Sequence, residues 1–189
     1  LEALLVSTGV VALAEIGDKT QLLSLVLAAR FRKPLPIVAG ILVATVLNHA
    51  LAGALGAWIT SLVGPAGMRW VLGLSFLAMA AWTLVPDRLN SEGPASASGR
   101  GVFATALVSF FLLEMGDKTQ VATVALAARY PSLVAVVAGT TLGMMIANVP
   151  AVLLGEKAAT RLPIAAIRTA AAAAFAGLGA LALAGVGVP

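Results

Sequence analysis

The chain has 189 residues, of which 60% are hydrophobic and only 11% charged, and its mean hydropathy is +1.03. Soluble domains carry about 25% charged residues, so the composition excludes a water-soluble globular protein and predicts an integral membrane protein. The absence of cysteine excludes disulfides, thiolate metal sites and cysteine nucleophiles, and the net charge of +4 does not describe a nucleic-acid surface, because no basic run exceeds Arg30-Phe31-Arg32-Lys33.

Six apolar stretches are long enough to cross a bilayer, at 3–29, 35–60, 67–86, 102–128, 132–155 and 164–187. No basic segment followed by a small-residue cleavage site precedes the first of them. Residues 87–101 form the one polar linker rich in Pro, Gly and Ser, and they divide the chain into a three-helix repeat at 1–86 and a second at 102–189.

The two halves read as a duplication. Residues 15–40 align with 114–139 without a gap, giving 13 identities in 26 positions. They include Glu15-Ile16-Gly17-Asp18-Lys19-Thr20-Gln21 against Glu114-Met115-Gly116-Asp117-Lys118-Thr119-Gln120. Further on, Gly40 and Ala44 mirror Gly139 and Gly143, a small-xxx-small spacing that lets helix backbones approach closely. Gly56 falls opposite Gly155.

An odd number of spans per repeat turns the second copy upside down relative to the first. The expected fold is therefore an all-α membrane protein of six transmembrane helices arranged as two inverted-topology repeats, a plan in which sites form where the repeats meet. Arg30, Arg32, Lys33, Arg88, Arg100, Lys157, Arg161 and Arg168 stand at one set of span ends, against Arg69 and Arg129 at the other. The positive-inside rule places the first set, and the linker, in the cytoplasm and both termini outside. Trp58, Trp70 and Tyr130 lie at the outer loops, where interfacial aromatics belong.

The motif places two carboxylates and an ammonium at the middle of span 1 and again of span 4. A charge at a helix centre costs about 2.5–3.5 kcal/mol on insertion scales, so these groups must face one another or a wet cavity. On a regular helix Glu15, Asp18 and Lys19 share an arc of roughly 100°, with Gln21 flanking it and Thr20 pointing elsewhere. Gly17 and Gly116 permit either close helix approach or a local unwinding that frees carbonyl oxygens.

Brought together, Glu15, Asp18, Glu114 and Asp117, with Gln21 and Gln120, make an all-oxygen site suited to Ca²⁺, Mg²⁺ or Mn²⁺. The same crowded carboxylates can hold protons when no metal is present, which is the minimal device for cation–proton antiport. Lys19 and Lys118 would pair with a carboxylate in the empty site or swing away as tethered cations when metal binds. Weaker candidates are His49 and Asn148, at equivalent repeat positions, and the hydroxyls of Ser24 and Thr123. Met144 and Met145 read as packing.

The doubled Glu-x-Gly-Asp-Lys-Thr motif, six spans and polar central loop resemble the Gdt family of divalent cation–proton exchangers. That family includes Golgi manganese/calcium exchangers and bacterial manganese exporters. The resemblance implies an antiporter whose acids Glu15, Asp18, Glu114 and Asp117 bind the ion, with Lys19, Thr20, Lys118 and Thr119 completing the motif. It also favours manganese export across a bacterial plasma membrane, with calcium as the alternative. The linker, with only Asp87 and Glu92, is shorter and less acidic than in many eukaryotic members. No permanently bound cofactor is expected; the partners are the transported cation, protons and the bilayer, and not nucleic acid. An enzyme reading fails because Glu stands where intramembrane aspartyl proteases have the first Gly of Gly-x-Gly-Asp, and because no Gly-x-Ser-x-Gly turn accompanies His49. A cation channel is the nearer rival.

Overall fold

The computed structural model describes residues 1–85, 101–154 and 163–186. The linker at 87–100, with Asp87, Arg88, Glu92 and Arg100, and Gly155, Lys157 and Arg161 lie outside the described residues. Eight helices account for nearly all the rest: α1 (Glu2–Glu15), α2 (Lys19–Phe31), α3 (Pro34–Leu62), α4 (Pro65–Thr83), α5 (Val102–Glu114), α6 (Lys118–Arg129), α7 (Leu133–Leu154) and α8 (Ile164–Leu183). Of these, α3, α7 and α8 are each long and apolar enough to cross a membrane.

The expected first and fourth spans are not continuous helices. Each is interrupted at its motif, as α1/α2 and as α5/α6. The cause is local. Ile16 and Met115 leave the helix in extended conformation, and Gly17 and Gly116 follow at φ +83° and +78°, where a Cβ is strongly disfavoured. Asp18 and Asp117 then take the N-cap positions of α2 and α6. With 14 and 13 residues, α1 and α5 each extend about 20 Å at 1.5 Å per residue, short of a ~30 Å hydrocarbon core. Two half-helices end to end are needed to cover it.

Packing is exchanged between the halves. α1 lies on α7, and in the equivalent place α5 lies on α3. Glycines make both contacts possible. A Cβ on Gly139 would sit 2.5 Å from the Leu4 carbonyl oxygen, and one on Gly143 would sit 2.7 Å from that of Thr8. In the other half, a Cβ on Gly40 would lie 2.8 Å from the Phe103 carbonyl oxygen. The small-residue stripes thus seat the first half of each broken helix against backbone, where no side chain can yield. Gly143→Leu is accordingly expected to push α1 off α7, cut the yield of folded protein and lower its thermal midpoint in detergent by several degrees. Wild-type melting would show that this seat is not required.

The α4–α8 pair, joined partly through the stacked rings of Phe76 and Phe175, rests on α1 and α6. Met68, Leu72, Phe76, Met79, Phe175 and Ala182 of this pair belong to one apolar cluster with Val10, Ala14, Leu126 and Val136. A second cluster, with Leu23, Leu27, Ile37, Ile41 and Phe110, joins α2, α3 and α5. Among the described residues, no comparable packing links α4 or α8 to α2 or α5.

Candidate cation site

The two breaks meet. Glu15 ends α1, Glu114 ends α5, and Asp117 opens α6, and one carboxylate oxygen from each lies within 4.8 Å of the others, all three residues being buried. Each glutamate is held by the threonine of its own motif: Thr20 donates to Glu15 Oε2 at 2.5 Å and Thr119 to Glu114 Oε2 at 2.8 Å. This corrects the regular-helix expectation that Thr20 points away. Unwinding at Gly17 swings the start of α2 back towards the end of α1, so a hydroxyl five residues along reaches the carboxylate.

One oxygen of each glutamate is thereby fixed, while Glu15 Oε1, Glu114 Oε1 and Asp117 Oδ2 stay buried with no hydrogen-bond partner among the described residues. Leaving a buried polar group unpaired is costly. Three clustered carboxylates, each with an oxygen left over, form a hard-donor set that a divalent cation or protons would satisfy.

The lysines cross between the motifs. Lys19 Nζ lies 2.7 Å from Asp117 Oδ1, and Lys118 pairs with Asp18 Oδ1. Asp18 is therefore engaged by Lys118 and does not join the convergent trio, although the sequence treats the four acids alike. Its other oxygen faces the Thr20 amide at 3.5 Å.

Gln21 and Gln120, expected among the ligands, instead close the turns. Their side-chain oxygens accept from the amides of Gly17 at 3.0 Å and Gly116 at 2.8 Å. Gln21 also donates to the Ala147 carbonyl on α7 at 3.1 Å. The signal for this was in the sequence: Asp-x-x-Gln is a capping-box pattern and marks a helix start at the centre of each expected span.

Of the weaker candidates, Ser24 donates to Asn148 Oδ1 at 2.7 Å, and Asn148 turns its amide to Met144 O and Sδ, both at 3.0 Å. That pair ties α2 to α7. Thr123 donates back to the Thr119 carbonyl at 2.8 Å. His49 is fully buried on α3 with neither ring nitrogen hydrogen-bonded. Asn48, which sequence reasoning passed over, donates from Nδ2 to the Phe111 carbonyl of α5 at 3.0 Å, one turn before Glu114.

A membrane-embedded fold with two broken helices meeting at a shared carboxylate cluster defines a secondary transporter of cations. Comparison with known proteins gives the same class. The pattern of the family described as divalent cation/proton antiporter GDT1 matches residues 3–91 and 102–186, one stretch in each half. The chain belongs to this family; it is an integral membrane antiporter that exchanges a divalent cation for protons, and not an enzyme. It is 51% identical over 176 residues to a Vibrio cholerae protein named "Putative manganese exporter", covering 93% of this chain and 87% of that one. It is 26% identical over 201 residues to the rice protein "GDT1-like protein 3", covering 93% of this chain and 71% of that one. No solved structure matches the chain.

Proposed function

We propose that the protein exports Mn²⁺ from the cytoplasm in exchange for protons, with Glu15, Glu114 and Asp117 as the alternating site for metal and protons. The observation that carries this reading is the convergence of three buried carboxylates, each with an oxygen left unpartnered. One set of oxygens cannot be neutralised by metal and protons together, and that exclusivity couples the two flows. The choice of manganese over calcium follows the Vibrio cholerae relative's name, since oxygen donors alone suit either ion.

The reading includes six spans, two of them broken, arranged as inverted repeats at 1–86 and 102–189 around a cytoplasmic linker at 87–101. Both termini then lie outside the cytoplasm, in a bacterial plasma membrane. The charge bias supports this orientation. Exchanged packing between the halves and the lean of α4–α8 onto α1 and α6 support alternating access over an open pore.

The test is uptake into proteoliposomes with an imposed pH gradient, comparing Mn²⁺, Ca²⁺ and Mg²⁺. Saturable Mn²⁺ flux that collapses with the gradient is expected. Faster Ca²⁺ flux would reassign the cargo, and ohmic current independent of pH would make the protein a channel.

A further inference from the structure

The motif copies are nearly identical in sequence, yet their two lysines occupy different surroundings. Lys118 is 4% exposed and its partner Asp18 is fully buried, whereas Lys19 is 22% exposed against an Asp117 that is 2% exposed. A charged side chain facing hydrocarbon is costly, which favours water over lipid at the open side of Lys19. The glycines beside the two pairs differ in the same sense. Gly17, next to Asp18, is covered by Ile164 at the start of α8, where a Cβ would come 2.5 Å from Ile164 Cγ2. Gly116, next to Asp117, has nothing among the described residues within 4 Å of a Cβ position.

The carboxylates differ too. Asp117 belongs to the convergent trio and keeps a buried, unpartnered oxygen, while Asp18 does not belong to it. A cation entering the trio therefore meets Lys19 at once, because both claim Asp117. It meets no such competition from Lys118, whose carboxylate stands outside the trio.

We propose that Lys19 is the displaceable counter-charge of the site, leaving Asp117 for the aqueous face as the cation arrives, and that Lys118 is a fixed counter-charge holding Asp18 out of the ligand set. This rests on the trio being the cation site. The exchange needs no change in the lysine's charge: one cation replaces another at the same carboxylate. Lys19 can leave at lower cost because its side chain is the more exposed of the two, while releasing Lys118 would leave two charges in a dry interior.

The experiment uses purified full-length protein. Mn²⁺ binding is followed by electron paramagnetic resonance, and modification of each lysine by a water-soluble amine-acylating reagent is followed by mass spectrometry, with and without Mn²⁺. Lys19 is expected to be modified faster than Lys118 in metal-free protein, and several-fold faster again with Mn²⁺ bound, while Lys118 stays protected in both. Lys19→Gln, which removes the competitor, is expected to tighten Mn²⁺ binding by about fivefold, the equivalent of a weak ion pair. Equal modification of the two lysines, slower modification of Lys19 when Mn²⁺ is bound, or weakened binding in Lys19→Gln would overturn the proposal while leaving the site intact. No Mn²⁺ binding to wild type, or binding unchanged by Glu114→Gln, would overturn the site and the proposal with it.

Discussion

Glu114→Gln is expected to reduce pH-gradient-driven Mn²⁺ uptake by roughly a hundredfold or more, without loss of folded protein. Groups that only orient metal ligands typically cost about 10–100-fold when removed, and a ligand should cost at least the upper end. The amide keeps the shape of the carboxyl and can still accept the Thr119 hydrogen bond now made to Glu114 Oε2. What it removes is one of three buried charges and the site's ability to take a proton there. Glu15→Gln should behave alike, because Thr20 holds Glu15 in the same way. Uptake in proteoliposomes and melting in detergent, measured on the same preparation, separate the two effects. Wild-type flux in Glu114→Gln would remove the carboxylate from the mechanism.

The second large effect is expected on stability. Lys118→Met should lower the unfolding free energy by about 3–5 kcal/mol, the usual cost of removing one partner from a buried ion pair. The Lys118 and Asp18 side chains are 4% and 0% exposed, so solvent offers little compensation. The double variant Asp18→Asn/Lys118→Met should recover much of the loss, since it removes both charges from the interior. Lys19→Met, from the more exposed pair, should cost distinctly less. Detergent melting of the four proteins forms the measurement, and equal destabilisation by the two single lysine variants would count against the inequality of the pairs.

Much of this architecture was readable in the chain. Two seven-residue polar strings in an alanine- and leucine-rich background announce a duplicated site, because such groups are tolerable in a membrane only facing one another or a wet cavity. The glycine stripe at Gly139 and Gly143, with Gly40 in the other half, was read as a close helix contact, and the structure places α1 and α5 against these positions. The interruption of the first and fourth spans was legible only in part. Gly17 and Gly116 allowed it, and Asp-x-x-Gln signalled it, but hydropathy runs straight through both breaks because the flanking residues are apolar on each side.

Other features had no local signal. Glu15, Asp18, Glu114 and Asp117 are equivalent by sequence, and nothing in a linear string tells which three converge. Nor could spacing show that each lysine serves the opposite motif, or that Thr20 turns back to Glu15, since both depend on how two broken helices cross.

By itself, then, the sequence determined that the protein lives in a membrane, is built from two related halves and concentrates its chemistry in a doubled acidic motif. These follow from composition and from the cost of burying charge, which act residue by residue. Only the tertiary structure decided that Glu15, Glu114 and Asp117 form the trio, that Asp18 is engaged by Lys118, and that Lys19 is more exposed than Lys118. One physical difference between the copies is that the α4–α8 pair rests on α1 and α6, with Ile164 of α8 over Gly17, whereas among the described residues nothing covers Gly116. Packing one shared pair of helices to one side makes two identical motifs unequal.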